Sequence, residues 1–347
     1  MVTLTQEIKE YALSIGFAKV GITDTEEFTP FIKELRSRGE YYKYWQESLG
    51  DGAKIQERMP EGKSLIVLAY DYGQHSYPKE LTNMIGRAYL SRSYLPLPDS
   101  VNGAMLNLFD KFLEQKNIHF VRDNNTIPMR WAAAKSGVAN FGKNNFAYVD
   151  GVGSFVILYG YVVDCELEYD EPSFENKCPK GCTKCVDACP TKALYEPFHL
   201  NPSKCIGFNN WKRREGKVDE EDLIIPEEIR GMLGCHIHGC DVCQEVCPRN
   251  QGKVSGKMPK DRFVQHIARD ITLPALLHMT DEFYQTRVHP IMHNYIKDKI
   301  YFQRNAAIAM GNSGDKSYIP DLKQELSNPS GTVRMYVEWA LKQLEKL

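Results

Sequence analysis

The stretch CPKGCTKCVDACP, residues 178–190, sets four cysteines in thirteen residues and closes on a proline. Cys182, Cys185 and Cys189 read C-x2-C-x3-C-P, with Cys178 just upstream; CDVCQEVCPRN repeats that cadence at Cys240, Cys243 and Cys247. In two-cluster ferredoxins the cysteine before the proline ligates the other cluster, so two cubanes draw their thiolates crosswise from both segments. One set is then Cys178, Cys182 and Cys185 with Cys247 crossing over. The other is Cys240 and Cys243 with Cys189 crossing, and it is one ligand short, because Ile237 stands where the pattern wants a cysteine. Cys205 in NPSKCIGF or Cys235 in LGCHIHGC fills that gap. Structural zinc also uses C-x2-C pairs, but it has no use for the third cysteine of each triplet or for the paired Cys-Pro endings. Cys165, at the end of an apolar strand, reads as a small buried hydrophobe, and His236 and His238 read as supporting or surface groups rather than ligands.

The rest of the composition says what such clusters serve. With 347 residues the chain can bury two or three cores. Lys and Arg number 43 against 45 Asp and Glu, so a polyanion partner would need a local basic patch. The opening MVTLTQEIKEYALSIGF has no uninterrupted apolar core, and the longest apolar runs are strand-sized. Ten cysteines in a chain of this kind point to metal or redox chemistry in a reducing, cytoplasmic setting, with no membrane.

Along the chain three textures follow one another. Residues 1–170 mix helix and strand patterns: Thr3 and Gln6 form a capping box ahead of Ile8, Tyr11, Ala12 and Ile15. AKVGIT, SLIVLAYDYG and GSFVILYGYVV read as strands, and Met105, Leu108, Phe109 and Phe112 as one face of a helix starting at Asn102. This is an α/β domain, without G-x-G-x-x-G after a strand or G-x-x-x-x-G-K-[ST], so no nicotinamide or ATP site is indicated. Residues 171–257 are rich in Cys, Gly and Pro and carry little periodicity, as in a ferredoxin-like two-cluster domain organised by its metal. Residues 258–347 are helical. RNAAIAMGNSG from Arg304 and VRMYVEWALKQL from Val333 resemble each other about thirty residues apart, the spacing of a HEAT-like repeat.

GFAKVGIT, SGVANFGKNN at 136–145, the double Cys-Pro motif with ACPTKAL, KCIGF, HGCDVCQEVCPRN and RNAAIAMGNSG occur in the order seen in the epoxyqueuosine reductase family, which the chain resembles over nearly its whole length. The resemblance implies a cobalamin-dependent iron-sulfur oxidoreductase that completes queuosine biosynthesis in the tRNA anticodon. It implies that Ser136, Gly137, Gly142, Lys143 and Asn144 cradle the cobalamin, glycine permitting close backbone approach to a flat ring. Cys205 matches the family ligand that completes the second set. Asp123 is in register with the family's proton donor, a role requiring a desolvated pocket that raises its pKa. Electrons would pass from a donor such as ferredoxin or flavodoxin through two 4Fe-4S clusters to base-off cobalamin, whose Co(I) removes the epoxide oxygen as Asp123 supplies a proton. The absence of D-x-H-x-x-G agrees with a corrin that no protein histidine ligates. The helical tail and WKRREGK (Trp211 to Lys217) would seat the anticodon stem-loop.

The sequence departs from the family near the substrate. YLSRSYLPL keeps Tyr94 but lacks the flanking Asp and His, Asn-Asn-Thr follows Asp123 in place of Thr-Gly-Pro, and Met129 stands where an acid is expected. Two other readings stay open: a paralogue reducing a different substrate on cobalamin, in the manner of reductive dehalogenases, and a non-catalytic iron-sulfur electron donor that activates a corrinoid protein.

Overall fold

The computed structural model describes residues 2–43, 45–46, 53–94, 96–98, 100–123, 127–211, 224–255, 257–292 and 298–346. Thr3 and Gln6 do exchange hydrogen bonds: the Thr3 N–H donates to Gln6 Oε1 at 3.0 Å and the Gln6 N–H to Thr3 Oγ1 at 3.3 Å. The cap starts helix α1 (Leu4–Ser14), which buries Ile8 and Ala12. Then come β1 (Lys19–Asp24), α2 (Thr29–Ser37), β2 (Ser64–Asp71), α3 (Val101–Gln115), β3 (Phe120–Asp123) and α4 (Met129–Lys135). A two-residue ladder pairs β4 (Asn140–Phe141) with β5 (Ala147–Tyr148), and β6 (Val156–Val163) closes the layer. The main sheet has the order β1-β2-β6-β3, and every ladder in it is antiparallel.

Period-two alternation puts Leu65, Val67 and Ala69 of β2 on the side of α2 and α4, and Ile66 and Leu68 on the side of α1 and α3. Helices therefore cover both faces, which is why SLIVLA is apolar without interruption although its ladders are antiparallel. The sheet has no parallel switch point of the kind that binds dinucleotides, in keeping with the missing glycine fingerprint.

Helix α3 differs from its expected form. Ser100 caps it, accepting from the Gly103 N–H, while Asn102 lies inside the helix and donates to Tyr159 Oη at 2.9 Å. The buried line is Met105, Leu106, Phe109 and Leu113, and Leu108 is 49% exposed. An apolar residue one position off the stripe looks the same in sequence as one within it. Phe109, fully buried against Tyr161, contributes about 1.5–3 kcal/mol.

The C-terminal portion contains α5 (Leu273–Leu277), α6 (Ile300–Ser313), α7 (Ile319–Gln324) and α8 (Gly331–Glu345). Helix α6 is buried on every side from Tyr301 to Gly311, hence its run of alanines. Gly311 lets α8 approach: a Cβ there would lie 2.8 Å from the Ala340 Cα. The same core takes in Leu81, Ile85 and Tyr89 from the first half and Ile206, Ile229 and Ile237 from the cysteine-rich segment. The tail thus shares its interior with the parts before it. No helix among the described residues is long and apolar enough to cross a membrane.

Between α5 and α7 lies a titratable joint. His278 Nδ1 meets Glu325 Oε1 at 2.7 Å and Nε2 meets Asp321 Oδ1 at 3.0 Å. Burial acts to lower the His278 pKa, but the hydrogen bonds to Glu325 and Asp321 outweigh it and raise it above 6.5. A histidine whose folded pKa exceeds its unfolded one stabilises most below the unfolded value and loses that contribution as pH rises through the folded value. Melting measured from pH 6 upward should show this loss, and His278→Gln should abolish that component of the pH dependence.

Candidate metal centres

The cysteine segments are short turns, so neighbouring structure must set their geometry. Cys182 precedes the turn Lys184–Asp187, which contains Cys185, and Cys243 lies in the matching turn Val242–Glu245. These turns lie against one another, bringing the two C-x2-C-x3-C-P motifs face to face.

The thiols fall into two neighbourhoods. Burial raises the Cys185 thiol pKa, and Cys178 and Cys247 add to it through space. Burial pushes Cys240 up to about 12, with Cys205 and Cys189 adding. Cys243 is raised well above its ordinary value by burial and then by Cys240, Cys205 and Cys189. Cys205 is raised by burial and by Cys189. Cys235 is raised by burial alone, with no cysteine acting on it. So Cys178, Cys185 and Cys247 lie near one another, as do Cys189, Cys205, Cys240 and Cys243. Cys182 joins the first group through its backbone: its carbonyl accepts from Lys143 Nζ at 2.9 Å, while the Lys143 N–H reaches Cys178 Sγ at 3.5 Å.

Buried thiols whose pKa is raised rest as neutral thiols, and a metal that takes them as ligands must displace those protons. Among the described residues no three Cys, His, Asp or Glu groups are close enough to grip one ion. Zinc would draw four sulfurs to about 2.3 Å from a single centre, whereas a cubane spreads them over separate irons. The donor set therefore fits two 4Fe-4S clusters.

The glycine-lysine-asparagine stretch serves this centre directly. Asn144 Nδ2 donates to the Cys243 carbonyl at 3.1 Å and to Tyr148 Oη at 3.0 Å, so Lys143 and Asn144 touch one motif each. Gly142 is tightly packed: a Cβ there would overlap the Tyr148 ring. Gly142→Ala should cost about 1–3 kcal/mol through overpacking, readable as a lowered denaturation midpoint. Ser136 and Gly137 lie apart from Gly142. Ser136 is buried with its carbonyl against Gly21, and Gly137, at φ +68°, has the Glu171 carbonyl where a Cβ would go. The five residues expected around the corrin thus fall into two groups, Ser136 with Gly137 and Gly142 with Lys143 and Asn144.

Asp123 ends β3, opposite Gly160, and is buried rather than a turn residue. Residues 124–126, where the sequence departs from the family, and 212–217 of the basic stretch lie outside the described residues. His238 is buried, its ring tilted against Tyr89 with centroids 3.9 Å apart, and burial lowers its pKa to about 3. It is a neutral core residue, not a surface one. His236 Nδ1 donates to the Leu233 carbonyl of its own turn at 2.8 Å.

Two supports were invisible in the sequence. Tyr148 lies under the Arg249 guanidinium at 4.4 Å, and Arg249 also holds Asn140. Arg87 pairs with Asp241 at 3.2 Å and Glu245 at 2.6 Å, tying the first half to the second motif. Their signal, an Arg or acid next to a cysteine, is too common to single out.

A cleft of about 180 Å³ beside β3 is lined by Pro96, Pro98, Leu106, Arg122 and Tyr159. It falls below the roughly 300–1,000 Å³ of ordinary ligand sites.

Fold and site together define an iron-sulfur protein whose double-cluster segment is built onto an antiparallel α/β layer, and residues 177–250 match the 4Fe-4S double cluster binding domain. Over the whole chain the similarity is narrower. The epoxyqueuosine reductase of Bacillus subtilis (strain 168) is 29% identical over 97% of this chain and 87% of that protein, and that of Lactococcus garvieae (strain Lg2) 27% over 99% and 97%. The crystal structure of an epoxyqueuosine reductase with an epoxyqueuosine-modified tRNA-Tyr stem loop superposes with a TM-score of 0.78 at 27% identity, over 98% of this chain and 90% of that one. The resemblance to the epoxyqueuosine reductases, drawn first from the motifs, holds from end to end.

Proposed function

We propose that this protein is an oxidoreductase that reduces epoxyqueuosine to queuosine in tRNA, with two 4Fe-4S clusters and base-off cobalamin as cofactors. The observation that carries it is the sorting of the thiols into two crosswise sets inside a chain similar to epoxyqueuosine reductases over nearly its full length. Cys178, Cys182, Cys185 and Cys247 hold one cluster; Cys189, Cys205, Cys240 and Cys243 hold the other. Cobalamin would supply a strongly reducing centre at the epoxide carbon. That part rests on the resemblance, since the glycines implied for it are packed against protein. Lys143 and Asn144 fix the backbone of both motifs and so hold the clusters at the edge of the α/β layer. Asp123, withdrawn from water at the end of β3, is the proposed proton donor.

The parts are proposed as an α/β domain over 1–170, a ferredoxin-like domain over 171–257 and a HEAT-like helical domain over 258–347, working in the cytoplasm. The partners are the anticodon stem-loop and an electron donor such as ferredoxin or flavodoxin. Anaerobic reconstitution with iron, sulfide and cobalamin, followed by incubation with epoxyqueuosine-containing tRNA and a strong reductant, tests the whole reading. Conversion to queuosine supports it. Cobalamin uptake with untouched tRNA would favour a paralogue with another substrate, and clusters without corrin would favour an electron donor.

A further inference from the structure

Helix α6 carries two polar residues in its most buried stretch. Arg304 is 0% exposed and Asn305 1%. A buried guanidinium needs acceptors on every side: Arg304 Nε donates to Asn305 Oδ1 at 3.0 Å, and further acceptors are backbone carbonyls of the cysteine-rich segment. Arg304 Nη2 donates to the Asn209 carbonyl at 2.9 Å and the Asn210 carbonyl at 3.1 Å. Asn305 Nδ2 donates to the carbonyls of Asn210 at 3.1 Å and Ile237 at 2.7 Å.

Those acceptors pass the constraint on. Asn209 Nδ2 donates to the Cys205 carbonyl at 2.9 Å, and Asn210 Nδ2 to the Gly239 carbonyl at 3.3 Å, one residue before Cys240. Gly207 lies between them, its Cβ position 3.9 Å from both Cys205 Sγ and the Cys240 nitrogen. The first thiol set is anchored elsewhere. Lys143 holds its upstream segment, and beside Cys247 Asn250 is locked to Ser154 of the α/β layer at 2.8 Å and 2.9 Å.

We propose that Arg304 and Asn305 are positioning residues for the second cluster: the helical tail sets the separation of the Cys205 and Cys240 loops, while the first set is anchored to the α/β layer. This rests on the two-cluster reading above. It assigns the tail a part in the redox centre beside any role in seating RNA. The planar fork of Arg304 spans two carbonyls, which a lysine ammonium does not reproduce.

The test uses the full-length protein reconstituted with iron and sulfide, and reads iron per chain and the electron paramagnetic resonance of the reduced form. Arg304→Lys and Asn305→Ser are the variants. Asn312→Ala is the control, because Asn312 on the same helix donates to Arg230 and Gly234, away from any cysteine ligand. The expected result is a fall from about eight to about four irons in the two variants, or an altered signal from one cluster with the other unchanged. Asn312→Ala should keep about eight irons with both signals intact. The proposal is overturned if the variants keep both signals unaltered, if both clusters are lost in parallel, or if the control loses iron as they do. Failure of the wild-type protein itself to take up two clusters would instead strike the reading beneath it.

Discussion

Cys205→Ala is expected to reduce the reconstituted protein from about eight irons to about four, while Cys235→Ala keeps about eight. Both cysteines are partly buried and both thiols are raised by burial, so solvent access does not separate them. Company does. Cys205 acts on Cys240 and Cys243 and is acted on by Cys189, whereas no cysteine acts on Cys235, which packs against the helical core. Removing a ligand should exceed the ten- to hundredfold loss typical of removing a ligand's supporting partner, so turnover of epoxyqueuosine tRNA should fall more than about a hundredfold. Equal iron loss in the two variants would show that the second set is not the one assigned.

The other large effect concerns Asp123. Asp123→Asn preserves shape and removes the exchangeable proton, so it should leave both clusters in place and lower turnover by about 10²–10⁴-fold, the usual worth of a general acid. Iron content and visible absorbance measured beside single-turnover rates separate this from a folding defect. A rate within roughly tenfold of wild type would move the proton donor to another group.

The cluster motifs were legible because iron chemistry dictates them: each iron wants a thiolate, and a crosswise pair of cubanes imposes both the triplet spacing and its repetition. The strands Ser64–Asp71 and Val156–Val163 were legible because burial on both faces leaves an unbroken apolar run. What escaped depended on proximity between distant segments. Spacing left Cys205 and Cys235 equivalent, and only the fold brings Cys205 to Cys189 and Cys240. Gly142 announced a close approach, but its neighbour proved to be Tyr148, six residues on. His238 looked like a cluster satellite because it sits two residues from Cys240, yet the chain turns it into the helical core between Tyr89 and Phe302. Arg304 and Asn305 open a repeat-like helical stretch in the sequence, and only the burial of the whole helix makes them internal.

The proposed crossing of Cys189 and Cys247 bears on how the protein matures as it leaves the ribosome. The Cys178 group lacks its last thiolate until Cys247 has emerged, and the Cys205 group must also wait for Cys240 and Cys243. Iron delivered earlier would meet only partial sites, so loading of both centres is expected to begin late in translation and nearly together, as one commitment of the nascent chain.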